Sequence, residues 1–457
     1  MSSTVSKENK MGVMPVPKLL ISMSLPMIIS MLVQALYNIV DSIFVAQLNE
    51  QALTAVSLAF PVQNLMIAVA AGTGVGINAL LSKSLGEKKH EQANAIARNG
   101  IFLALLSCMV FAILGLIGSR LFFQVQTTDE LIVEYGAQYM SVVTIASLGV
   151  FMQITFERLL QSTGKTIFNM VTQGTGAIIN IILDPILIFG WFGFPKMGVT
   201  GAAVATVIGQ WVAALLGIVF NHKFNREINA SMKGFKPCKK TIGAVYKIGV
   251  PSIIMQSINS VTTFAMNNIL LMFNSTAATV FGVYFKLQSF VFMPVFGLTN
   301  GMIPIVAYNY GARNKKRIKD TLKLSIGIAV GIMLVGVIIF QTAPTTLLRM
   351  FDASELMIEI GVPALRIISL SFIFAGYSII CSAVFQALGN GVYSLIISVA
   401  RQIVVIIPVA FIFAKLFGLG MVWWSYPIAE IVSVVVCTIF LKRIFKERIS
   451  SIEVQNA

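Results

Sequence analysis

At 457 residues the chain is 57% apolar and only 11% charged, with a mean hydropathy of +0.86. Soluble domains carry about 25% charged residues, so a soluble globular protein is excluded. A net charge of +15 would suit a nucleic-acid partner, but the 33 Lys and Arg fall in short segments between apolar runs, a pattern set by membrane topology. Four cysteines (Cys108, Cys238, Cys381 and Cys437) are scattered without CxxC spacing, and His90 and His222 stand far apart. Neither a disulfide framework nor a metal or cofactor site is expected.

Lys7, Lys10 and Lys18 precede an apolar segment, as they would in a signal peptide. That segment continues past Asp41 without a small-residue cleavage site, so it reads as a retained first span. Twelve spans follow from the apolar runs, at roughly 17–47, 51–82, 93–118, 132–157, 167–190, 199–220, 244–272, 277–309, 318–343, 356–385, 392–417 and 421–441. Only helices or closed barrels cross lipid, and the alternation of barrel strands is lacking. The expected fold is an all-α membrane protein of twelve transmembrane helices in two six-helix bundles related by pseudo-two-fold symmetry. If both termini are cytoplasmic, the inner segments hold 26 Lys or Arg, the outer loops four, and the spans three. That bias predicts a multi-pass protein of the cell membrane with both ends inside.

The two halves repeat. A shift of 225 residues superposes Pro26 on Pro251, Gly72 on Gly297, Gly76 on Gly301 and Gly86 on Gly311. The same shift pairs Gly136 with Gly361, Gln161 with Gln386 and Gly164 with Gly389. The expected organisation is an N-terminal bundle over 1–220, a cytoplasmic linker over 221–243 and a C-terminal bundle over 244–457. Parallel repeats of this kind enclose a substrate site and rock against each other in transporters. Gly72/Gly76 and Gly297/Gly301 are GxxxG pairs, which let helices approach closely.

Two acids are not repeated. Asp41 stands alone among the residues between Lys18 and Glu50, and Asp184 among those between Lys165 and Lys196. Their counterparts in the second half are Met266 and Val409. A charge at mid-membrane costs about 2.5–3.5 kcal/mol on insertion scales, so an intramembrane acid points to an ion or proton pathway. At 1.5 Å per residue, Asp41, Asp184, Thr206 and Tyr139 all lie roughly 9–11 Å below the outer helix ends, in one layer. Asn180 stacks one turn below Asp184. Two such carboxylates cannot both ionise cheaply, so the pair can hold a proton, and the same oxygens suit Na⁺. Pro26 and Pro185 each remove a helix hydrogen bond and are the expected hinges.

The remaining charges carry weaker expectations. Glu157 and Arg158 read as an interfacial or snorkelling pair, and Lys286 and Glu430 as an interhelical pair; Arg401 has no evident partner. Ser162 to Thr166 imitates the end of a P-loop, but the required first glycine is Leu159 and the segment joins two spans. It is a loop, so an active transporter of this sequence would draw its energy from an ion gradient.

Pro26 and Asp41 in span 1, Asn180-Ile181-Ile182-Leu183-Asp184-Pro185 in span 5 and the Gly198–Thr206 opening of span 6 resemble the multidrug and toxic compound extrusion (MATE) family. Glu157–Gly164 and Pro304–Ala312 carry the same likeness, which extends over essentially the whole chain. The resemblance implies export of amphiphilic, often cationic drugs in exchange for H⁺ or Na⁺ by alternating access, with no enzymatic step and no cofactor. It is closest to the DinF-like branch, which implies coupling at Asp41, Asn180, Asp184 and Thr206, with Tyr139 beside them. The NorM-like branch carries acids in spans 7 and 10, and span 7 here has none. Tyr37 and Gln34, one and two turns below Asp41, are then the residues expected to contact drug. The partners implied are drugs and the lipid bilayer, with the protein a monomer. A lipid-linked precursor flippase is the alternative, and it would need a basic cavity, for which only Lys286, Arg366 and Arg401 are available.

Overall fold

A computed structural model describes residues 9–450, so Lys7 and the two chain ends lie outside the described residues. Within them the regular structure is helical and no strand occurs. The first half contains α1 (Val16–Ala46), α2 (Glu50–Gly86), α3 (His90–Gln126), α4 (Glu130–Ile145), α5 (Leu148–Ser162), α6 (Thr166–Phe189) and α7 (Val199–Phe224). The second contains α8 (Lys239–Leu271), α9 (Ser275–Gly311), α10 (Lys315–Thr342), α11 (Glu355–Ser369) and α12 (Phe372–Ala387). It continues with α13 (Gly391–Val399), a π-helical stretch Ala400–Ile406, α14 (Ile407–Leu416) and α15 (Ser425–Ile444).

These elements make up the twelve expected spans. Eight helices are individually long and apolar enough to cross a bilayer, and the bent pairs α4–α5 and α11–α12 raise that to ten. Helices α8 and α15 complete the set; α8 is less apolar because Gln256, Ser257, Asn259, Ser260, Thr262 and Thr263 occupy its middle. The bends, 44° and 48°, fall at Ala146–Ser147 and Leu370–Ser371, within one residue of the repeat length. Helix α1 runs unbroken through Pro26, and α6 through Pro185. The segment 163–165 is a turn joining α5 to α6, as its P-loop-like sequence was expected to be.

The compact units do not divide at the polar segment 221–243. One unit is Ile29–Ile253; the other joins the chain up to Ile28 with everything from Ile254 onward. Each boundary lies two residues beyond a matched proline, Pro26 or Pro251, inside a continuous helix. The paired glycines account for this. In the first unit Gly72 and Gly76 of α2 receive the start of α8, so that a Cβ on Gly72 would stand 2.9 Å from the Ile253 nitrogen. In the second, Gly297 and Gly301 of α9 receive the start of α1 at Ile28 and Ser24. Packing decides the division where composition alone points to the linker.

Three charged residues depart from expectation. Glu157 is buried at 4% exposure rather than interfacial, and it does not pair with Arg158, whose Nη1 donates to Gln161 Oε1 at 2.7 Å. Adjacent residues on a helix point in different directions, which keeps that pair apart. Glu430 pairs not with Lys286 but with Arg401, whose Nη1 donates to Glu430 Oε1 at 3.0 Å. Lys286 instead lies 5.9 Å from the centre of the Phe351 ring.

Candidate functional site

Helices α6 and α7 cross at two glycines. A Cβ on Gly176 would stand 3.0 Å from the Gly209 carbonyl oxygen, and one on Gly209 would stand 2.7 Å from that of Gly176. Only a residue without a side chain permits that approach. One turn further along, Asn180 Nδ2 donates to Thr206 Oγ1 at 3.2 Å. The next turn of α6 presents Asp184, fully buried.

Asp184 and Asp41 of α1 lie close enough for each to act on the other electrostatically. Among the described residues, neither forms an ion pair with a Lys or Arg. Tyr37 of α1 and Tyr139 of α4 both lie in the electrostatic field of the two acids. Tyr139 is held by Gln63 of α2, whose Nε2 donates to its hydroxyl at 3.0 Å. Asp41, Tyr139, Asp184 and Thr206, expected in one layer, and Asn180, expected one turn below, belong to the same unit, where Asn180 bonds to Thr206 and Tyr139 lies in the field of the acids.

A cavity of about 90 Å³ adjoins this layer, lined by Gln34, Tyr37, Gln153, Gln173, Asn180, Thr206 and Gln210 together with apolar side chains. Gln34 and Tyr37, the two residues expected to contact drug, line this cavity. Drug-sized sites occupy roughly 300–1,000 Å³, so the walls must part to admit one. The unsatisfied atoms around it are all acceptors: Asp41 Oδ1, both Asp184 oxygens, Asn180 Oδ1, Gln173 Oε1 and Gln210 Oε1 receive no hydrogen bond from the described residues. Buried acceptors left unpaired cost about 1–3 kcal/mol each. The site is therefore built for something that brings positive charge or donors.

Sequence reasoning missed the glutamines and the place of Glu157. Glu157 Oε1 accepts from Gln153 Nε2 at 3.1 Å and from Thr172 Oγ1 at 3.0 Å, and its Oε2 accepts from Gln173 Nε2 at 2.9 Å. Gln153 and Gln173 also line the cavity, so a third acid supports its far wall through neutral donors. Glutamines carry no periodic signal, but Glu157 follows Gln153 at i+4, a spacing that sets both on one face.

The oxygens at Asp41, Asp184, Asn180 and Thr206 suit a hard monovalent cation, and a single proton would turn the two opposed carboxylates into donor and acceptor. Either species could be held here, and no cluster of three or more acid, His or Cys ligands occurs among the described residues.

Comparison with known proteins places this geometry. The chain is 30% identical over 432 residues to the multidrug export protein MepA of Staphylococcus aureus strain MRSA252, covering 91% of each chain. It is 29% identical over 416 residues to MepA of Staphylococcus haemolyticus, again covering 91% of both. A solved outward-facing multidrug resistance MATE family transporter of the MOP superfamily superposes with a TM-score of 0.91 at 26% identity, over 99% of this chain and 100% of that one. The MatE family profile matches twice, over residues 26–186 and 251–412, beginning one repeat length apart. The chain therefore belongs to the MatE family.

Proposed function

We propose that the protein is a secondary active multidrug exporter of the cell membrane, antiporting amphiphilic cationic drugs against H⁺ or Na⁺ by alternating access. The observation that carries this reading is the Asp41–Asp184 pair: two acids on apolar helices act on each other electrostatically and form no ion pair with a Lys or Arg among the described residues, beside an acceptor-lined cavity. Retaining them there is expensive unless loading and unloading a cation is their role.

The chemistry follows from charge. A drug cation entering past Gln34 and Tyr37 is stabilised by the pair when at least one carboxylate is ionised. A proton shared between the carboxylates, or Na⁺ held by Asp41, Asn180, Asp184 and Thr206, neutralises the same charge and removes that attraction. Drug and coupling cation thus compete, which is the condition for exchange. Pro26 lies at the boundary of the compact units and serves as the hinge of α1, with Pro185 weakening α6 beside Asp184. Moving one charge through 100 mV is worth about 2.3 kcal/mol, enough for roughly a fiftyfold gradient of a neutral substrate. The excess of basic residues in alternate loops puts both termini inside the cell, and a single chain contains every residue of the site.

A flippase for lipid-linked precursors would need basic residues on the cavity to hold pyrophosphate, and none of its lining residues is Lys or Arg. Reconstituted protein tests the proposal: dye should leave the donor compartment when a pH or sodium gradient is imposed separately. Efflux driven by neither gradient would refute it.

A further inference from the structure

Helices α3 and α4 and the first turn of α7 enclose a second cleft, of about 610 Å³, open at the protein surface. One side is a polar ladder. Arg120 Nη1 and Nη2 stand 3.9 Å from Glu134 and 3.7 Å from Glu130, Gln138 Nε2 donates to Glu134 Oε1 at 2.6 Å, and Thr200 Oγ1 donates to Gln138 Oε1 at 3.0 Å. The other side is apolar, formed by Leu116 and Ile117, 68% and 79% exposed.

Its depth follows from the sequence. On α3 the charge-free run from Asn99 to Ser119 rises about 32 Å, close to the roughly 30 Å of a bilayer's hydrocarbon layer. Arg120 thus falls at the border between acyl chains and headgroups. Leu116 lies one turn deeper. The cleft therefore opens sideways at headgroup level and descends into the hydrocarbon, where acyl chains alone leave polar groups unsatisfied.

We propose that this cleft binds a phospholipid with a zwitterionic, primary-ammonium headgroup of the phosphatidylethanolamine type. The phosphate sits at Arg120, the ammonium donates to Glu134 and Glu130, and one acyl chain lies on Leu116 and Ile117. The ion pairs already present are long and exposed, so exchanging them for lipid contacts costs little. One guanidinium against two carboxylates leaves net negative charge, which disfavours an anionic headgroup. A choline headgroup carries no N–H to donate. The site is single, because the repeat places Thr345 opposite Arg120 and Pro363 opposite Gln138.

The full chain, reconstituted in bilayers of equal phosphatidylethanolamine, phosphatidylcholine and phosphatidylglycerol, is extracted and its retained lipid measured by native mass spectrometry. The ethanolamine lipid should be retained over the other two, and Arg120→Gln and Glu134→Gln should each lower that retention about fivefold, the value of one charge-assisted hydrogen bond. Ile117→Trp gives a second reading, since brominated phosphatidylethanolamine should quench its added fluorescence more than brominated phosphatidylcholine does. Equal retention of the three lipids, preference for the glycerol lipid, or variants matching the parent would overturn the proposal. The readout is binding, so it stands apart from whether the protein exchanges drugs for cations.

Discussion

Each compact unit buries a carboxylate among apolar helices, and the two carboxylates meet opposite partners. In the first, Asp184 lies in the field of Asp41, and neither forms an ion pair among the described residues. In the second, Glu430, 7% exposed, accepts from Arg401 at 3.0 Å. A like-charged pair is unstable until it binds a cation, whereas an opposite pair has its charge neutralised from within, even with Glu430 Oε2 left without a hydrogen bond from the described residues. The repeat duplicated the scaffold and left the two halves with different electrostatics: one a site that needs a visitor, the other a clamp between the π-helical stretch and α15. A π-helical turn is rare and often marks a functional position. Here it brings Arg401 to Glu430.

The largest effect should come from breaking the like-charged pair. Asp184→Asn should reduce gradient-driven dye efflux to that of empty vesicles while leaving membrane expression unchanged, and its thermal melting at alkaline pH should equal or exceed that of the parent. Retained efflux would remove the difference between the two acids. Breaking the opposite pair should instead injure the fold. Arg401→Met leaves Glu430 uncompensated and should cost about 3–5 kcal/mol in thermal or denaturant unfolding. The double variant Arg401→Met with Glu430→Met should return to within about 1 kcal/mol of the parent, since apolar replacement of a buried pair is often neutral. Recovery of stability without loss of efflux would establish the clamp as structural.

Two smaller changes sharpen the first unit. Glu157→Gln keeps the shape beside Gln153 and Gln173 but removes a charge near the cavity, so it should raise the KM for a cationic dye by about fivefold with kcat little changed. Thr206→Val removes one neutral hydrogen bond with Asn180, worth about 1 kcal/mol, and should lower efflux under a sodium gradient more than under a proton gradient. Equal losses under both would argue that Thr206 is not a cation ligand.

Much of this arrangement was legible in the sequence because lipid punishes charge. The isolation of Asp41 and Asp184 and the bias of the loops follow from that one fact, and counting residues from the span ends set Tyr139 and Thr206 at the expected depth of the two acids. Neutral residues escaped the same logic: Gln63, Gln153, Gln173 and Gln210 cost too little to stand out in an apolar run. Partners across helices were hidden for another reason. Glu430 finds Arg401 rather than Lys286 through the rotation of two packed helices, which depth alone does not specify. The polar segment 221–243 draws the expected boundary in sequence, whereas the compact units part inside α1 and α8, beside the glycine contacts.

That division bears on how such a chain could arise. A lone six-span half would leave the groove at Gly72 and Gly76 unfilled, because the strand of chain that fills it, Val245 to Ile253, comes from the other half. Two copies of an ancestral half could have filled each other's grooves by trading their leading segments, as swapped dimers do.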